Sequence, residues 1–61
     1  MLKTDPNLAE NDEFYAALLA THKGLSEAES HALNARLILI LANHIGELTP
    51  LNEALDLARD A

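Results

Sequence analysis

The longest apolar run of the chain is Leu37 to Leu41, five large aliphatic side chains in succession. A run of this length is typical of either a buried strand or a buried helix. Here it lies within a segment from Ser26 to Ile45 that contains no glycine or proline, and no other stretch offers it a strand to pair with. The pattern therefore predicts a long helix.

This central helix has sequence signals at both ends. At its start, "SEAE" places Ser26 three residues before Glu29, the spacing of a capping box in which side chain and backbone bond reciprocally. At its end, Gly46 supplies a residue that adopts a left-handed conformation without strain. The helix is expected to reach about Ile45 and to be roughly 28 Å long.

Two shorter helices are predicted on either side of the central one. The first is expected over residues 12–23, with Asn11 as N-cap and Gly24 at the left-handed position after its end. The third is expected to start at "TPLNEALDLARDA", with Thr49 as N-cap and Pro50 as its first helical residue. Its inward-facing stripe is Leu51, Ala54, Leu55 and Ala58.

These elements predict an all-α fold: a small three-helix bundle with a long central helix and short flanking helices. Residues 11–61 are expected to form this single domain, and residues 1–10 a polar N-terminal arm. A chain of 61 residues has a thin core, so it commonly needs disulfides, a metal, oligomerisation or very efficient helix packing. Because the sequence has no cysteine, oligomerisation or a partner protein becomes the leading expectation.

The central helix is apolar on two sides. At 100° per residue, the first arc consists of Leu33, Leu37, Ile40, Leu41 and His44. The second arc consists of Ala28, Ala32, Ala35, Ile38, Leu39, Ala42 and Ile45, with His31 among them. Flanking helices of about 16 Å are expected to cover the first arc and to leave part of the second exposed.

A contiguous exposed apolar patch commonly marks an association surface. The second arc is therefore expected to dock on another chain. The predicted interface residues are Ile38, Leu39, Ala42, Ile45, Ala35 and Tyr15. Either a larger protein or a second copy of this chain explains the pattern equally well. The competing interpretation of the second arc is a closed three-helix monomer. For Tyr15 the alternative is an ordinary position at the boundary of the core.

Charge and composition exclude several classes of function. Ten acidic residues against four basic ones give a formal charge of −6, which opposes binding to nucleic acid and to anionic membranes. The longest apolar run is far shorter than the ~20 residues of a membrane span. The N-terminal residues do not resemble a signal peptide, so a soluble, cytoplasmic protein is expected.

The three histidines are the residues most capable of chemistry. The spacings between His22, His31 and His44 match no common zinc signature. Glu27 and His31 lie four apart on one helical face, a pair that can share a hydrogen bond or a metal but lacks the second pair of a di-metal bundle. His22 and His44 lie near helix ends, where a ring nitrogen of each is expected to form a structural hydrogen bond to a terminal backbone carbonyl or a partner group. We therefore expect no catalytic residue, no metal and no cofactor, hence no enzyme.

The strings "TDPNLAENDEFYAALLATHKGLS" and "LNARLILILANHIGE" resemble a family of short bacterial proteins classed as a domain of unknown function. The resemblance covers nearly the whole chain and brings no catalytic residues with it. Genes of that family often lie beside those of flavin-dependent monooxygenases that hydroxylate aromatic compounds. The resemblance therefore implies a small accessory subunit or stabilising partner of such an enzyme.

Overall fold

The computed structural model describes residues 1–61 and contains three helices and no strand. The helices are α1 (Asn11–His22), α2 (Glu27–Ile45) and α3 (Leu48–Asp60). At 19 residues, α2 is the longest. The predicted all-α fold with a long central helix is confirmed. Residues 1–10 contain no helix, and the Leu2 amide donates to Glu53 Oε1 of α3 at 3.4 Å.

Both ends of α2 follow the sequence signals. The Glu29 amide donates to Ser26 Oγ at 3.1 Å, and the Ser26 amide donates to Glu29 Oε1 at 2.9 Å, which completes the predicted capping box. Gly46 ends the helix with φ 72°, and its amide donates to the Ala42 carbonyl at 2.9 Å. Both predictions are confirmed because each depends only on neighbouring residues.

The capping box makes the start of α2 sensitive to mutation and to acid. The Ser26 amide, and after it the Ser26 hydroxyl, lowers the pKa of Glu29 from its ordinary value of 4.5. A carboxyl group with a lowered pKa stabilises the fold above its ordinary pKa, and this contribution is lost as the pH falls through the lowered value.

Replacing Ser26 with Ala (Ser26→Ala) should destabilise the helical state at pH 7 by about 1 kcal/mol, because the Glu29 amide loses its acceptor. Thermal melting followed by circular dichroism measures this loss. Glu29→Gln is the matched control, since it keeps the capping geometry but removes the titrating group. Below pH 4.5 its helicity should fall less than that of the parent. Equal melting of Ser26→Ala and the parent would contradict the assignment.

The starts of α1 and α3 differ from the sequence predictions. In α1, the Phe14 amide donates to the Glu10 carbonyl at 2.9 Å, so Glu10 is the N-cap. Asn11 is already helical, and its assignment as N-cap is wrong. No side chain caps this end. A backbone hydrogen bond, which the residue types do not encode, therefore fixes where α1 begins. After α1, Gly24 has φ 82°, as predicted.

α3 begins two residues before Pro50, at Leu48, with Glu47 as N-cap. The assignments of Thr49 as N-cap and Pro50 as first helical residue are therefore wrong. The first amides of a helix have no acceptor within it, so a proline at the third helical position leaves no hydrogen bond unmade. The same property that suits proline to the first position allows it here.

The three helices are loosely arranged. No residue is buried, and no two helices are in extensive contact. The solvent-accessible area is 5468 Å², whereas a compact protein of this mass exposes about 3,900 Å². The radius of gyration is 13.0 Å, against about 10.5 Å for a compact chain of this length. Most of the potential core is consequently in contact with water.

The first arc of α2 is only partly covered, which contradicts the prediction that the flanking helices cover it. Leu33 and Leu37 are half-buried, but Ile40 is 65% exposed and Leu41 is also exposed. α1 has 12 residues, a length of about 18 Å. It approaches the N-terminal half of α2, where His22 bonds to Asn34, and the C-terminal half of the first arc remains uncovered.

Candidate functional site

The largest apolar concavity of the molecule is an open groove of about 420 Å³ between α2 and α3. We call it the α2–α3 groove. Its lining consists of Ile38, Ala42, Leu48, Leu51, Asn52, Ala54, Leu55 and Ala58. Asn52 contributes the only polar side chain, so the groove can receive apolar side chains but offers few polar groups to orient a small polar ligand.

α3 contributes most of this groove because its apolar residues recur at helical spacing. Leu48, Leu51 and Leu55 are three and four residues apart and therefore share one face. Leu51 is half-buried, whereas Leu55 and Leu48 are exposed. The apolar face of α3 is therefore directed toward α2 but does not pack closely against it. The gap between the two helices is the groove.

The residues predicted to form the interface do not all lie together. Ile38 and Ala42 line the α2–α3 groove, but Leu39, Ala35 and Ile45 lie outside it. The predicted exposure of the second arc is confirmed, since Leu39 is 70% and Ile38 61% exposed and Ile45 is exposed as well.

Tyr15 is exposed on α1 and does not line the groove. Sequence reasoning missed Leu48 because it placed that residue before the start of the third helix. The signal was present, since Leu48 precedes Leu51 by three residues and so continues the stripe of α3.

The histidines lie apart from one another and from the groove. His22 Nε2 donates to Asn34 Oδ1 at 2.9 Å, which joins the end of α1 to α2. This confirms a structural hydrogen bond for His22, with a side-chain partner. His31 Nε2 lies 3.6 Å from Glu27 Oε1, an exposed pair at i,i+4 spacing. The His44 side chain is exposed and makes no hydrogen bond within the chain, so the structural bond predicted for it is not formed there. No group of three or more His, Asp or Glu side chains is placed to hold a metal ion.

The charge of the protein is distributed unevenly around this apolar surface. α2 contains no acidic residue beyond Glu29, and Arg36 is its only basic residue apart from histidines. The acidic residues lie in the N-terminal arm, α1, the start of α2, the α2–α3 connection at Glu47, and α3. In α3, Asp56 bonds to Arg59 at 3.3 Å in an exposed i,i+3 pair. The middle of α2 is therefore an uncharged apolar surface on a protein of net charge −6.

The sequence of this acidic, cysteine-free three-helix chain matches a known protein family. The family model described as "Protein of unknown function (DUF2783)" matches residues 2–60. The chain belongs to this family. No curated protein and no solved structure matches it.

The DUF2783 membership brings no catalytic residue or ligand with it, so the function has to be argued from the surface itself. None of the helices of this DUF2783 protein is long and apolar enough to cross a membrane. Its distinguishing feature is the apolar surface formed by α2 and the α2–α3 groove.

Proposed function

We propose that this protein is a non-catalytic helical interaction protein whose apolar surface on α2 and α3 is covered by another protein chain. The observation that supports this is the absence of any buried residue in a chain with 14 exposed large hydrophobic side chains. Water-soluble proteins rarely expose contiguous apolar patches of this extent unless they mark an association site.

The energetics favour the same conclusion. Each large aliphatic side chain that stays exposed forgoes about 1.5–3 kcal/mol of burial free energy. A chain this short has only about 3–5 kcal/mol of stability from its core. The burial free energy that is lost by leaving Leu39 and Ile40 exposed is therefore comparable to the whole stability of such a core. A partner surface supplies the missing burial.

Two classes of partner fit. A larger protein, with this chain as its accessory subunit, agrees with the small size and with the resemblance to a family whose genes often lie beside those of flavin-dependent aromatic monooxygenases. A second copy of the chain is favoured by a separate observation, the absence of acidic residues from the middle of α2. A cytoplasmic location belongs to the same proposal, since a chain without cysteine needs no oxidising compartment.

The proposal predicts that the helical state depends on concentration. When folding is coupled to association, the melting temperature rises with protein concentration by mass action. Circular dichroism melts of the isolated chain between about 1 μM and about 100 μM should therefore show weak helicity at the low end. If only a larger partner covers the surface, helicity should be weak at every concentration. A cooperative helical transition with the same midpoint throughout would contradict the proposal.

A further inference from the structure

α2 carries a regularly spaced row of residues on a side that is exposed along most of its length. The row, which we call the α2 seam, is Ala28, Ala32, Ala35, Leu39 and Ala42. Its spacings of four, three, four and three residues are those of one seam of a two-stranded coiled coil. All five are exposed except Ala42, which is half-buried at the edge of the α2–α3 groove. α1 approaches α2 elsewhere, where His22 bonds to Asn34.

We infer that the α2 seam pairs with the same seam of a second copy of this chain, with the two α2 helices antiparallel. The inference rests on the proposed function and names its partner. In an antiparallel pair with its twofold axis at the level of Leu37, Leu39 of each copy lies opposite Ala35 of the other. Ala32 then lies opposite Ala42. The single large residue of the seam meets a small one, so the seam is complementary to itself, as a twofold interface requires.

The exposed area of the chain is sufficient for such a dimer. Its accessible surface exceeds that of a compact protein of the same mass by about 1,600 Å², to which the non-helical residues 1–10 also contribute. Obligate homodimers bury about 2,000 Å² or more in total. Two copies that each hide about 1,000 Å² reach this threshold and still leave part of the excess exposed. This excess belongs to the whole chain and does not select the seam, but it is enough for a dimer interface of stable size.

Charge also favours a second copy at this position. Two chains of net charge −6 repel each other in general. Between Ala32 and Ala42 of the seam this repulsion is weak, because residues 30–46 contain no acidic residue. Antiparallel α2 helices also place the positive end of each helix dipole beside the negative end of the other. The exposed Ile38 flanks the seam and adds aliphatic surface to the contact.

Disulfide trapping tests both the partner and the orientation. The chain has no cysteine, so single substitutions give clean variants. When Ala32→Cys and Ala42→Cys proteins are mixed and oxidised, they should form a mixed disulfide, because the two positions lie opposite each other. Ala32→Cys alone should crosslink little, since its two copies are ten residues apart along the pair, about 15 Å. A disulfide spans about 7 Å at most between Cα atoms.

Leu57→Cys is the control for random collision, because Leu57 is exposed on α3 and outside the groove. A mixed-disulfide yield several times that of Leu57→Cys supports the pairing. Crosslinking of Ala32→Cys alone at the mixed yield would show a parallel pair and overturn it, as would a mixed yield equal to the control.

The absolute mass of the unmodified chain separates failure of this inference from failure of the proposed function. An unfolded monomer at about 100 μM would overturn the self-pairing and leave the interaction function intact. A folded helical monomer would overturn both.

Discussion

Leu39→Glu should dissociate the protein into monomers and remove most of its helical signal at micromolar concentration. Leu39 is the large residue of the α2 seam and is 70% exposed within the single chain. Covering it contributes about 1.5–3 kcal/mol, and a dimer contains two copies. The dissociation constant should therefore rise at least ~100-fold, and the cost of burying a carboxylate adds to this. Sedimentation velocity with circular dichroism on the same sample measures both effects.

The matched control is Leu57→Glu, which makes the same chemical change at an exposed position of α3 that does not line the groove. It should leave the mass unchanged and the helicity nearly so. If both variants lowered mass and helicity equally, the effect would reflect general loss of hydrophobicity or added negative charge, and the assignment of the seam would be wrong.

The second large effect concerns the size of the residue opposite Leu39. Ala35→Leu should weaken the dimer by about 30-fold or more, because two leucines then compete for one position on each side of the twofold axis. Overpacking costs about 1–3 kcal/mol at each of the two sites. The change is mild for an isolated helix, since leucine is nearly as good a helix former as alanine. Equilibrium sedimentation over a concentration series measures the dissociation constant.

The double variant Ala35→Leu/Leu39→Ala exchanges the two residues and tests whether their positions face each other. It restores a large residue opposite a small one and should recover most of the lost affinity if these two positions face each other. Two changes at independent sites would instead add their separate costs. A double variant that is weaker than either single variant would exclude the proposed register while leaving other forms of association open.

Local signals explain what the sequence predicted correctly. The capping box of Ser26 and Glu29 and the left-handed Gly24 and Gly46 involve groups only a few residues apart, so spacing alone identifies them. The starts of α1 and α3 were missed by one and two residues. There a backbone bond, such as that from Phe14 to Glu10, decides the boundary without a side-chain signal.

The sequence predicted which residues form the apolar surface but not how much of that surface the flanking helices cover. The 3.6-residue period shows that Ile40 and Leu41 share a face with Leu33 and Leu37. It does not show how far along that face a neighbouring helix reaches. α1 approaches one half of the face and leaves the other exposed. The α2–α3 groove is unpredictable in the same way, because it depends on the separation of two helices.

The most direct test of the central claim, that another chain covers the apolar surface, is the absolute mass of the purified protein in solution. Light scattering behind a sizing column gives the mass, and circular dichroism on the same peak shows whether that species is helical. We expect a helical particle of twice the chain mass of 6.6 kDa. A helical, stably folded particle of 6.6 kDa would contradict it, because Leu39 and Ile38 would then remain exposed in a self-sufficient fold.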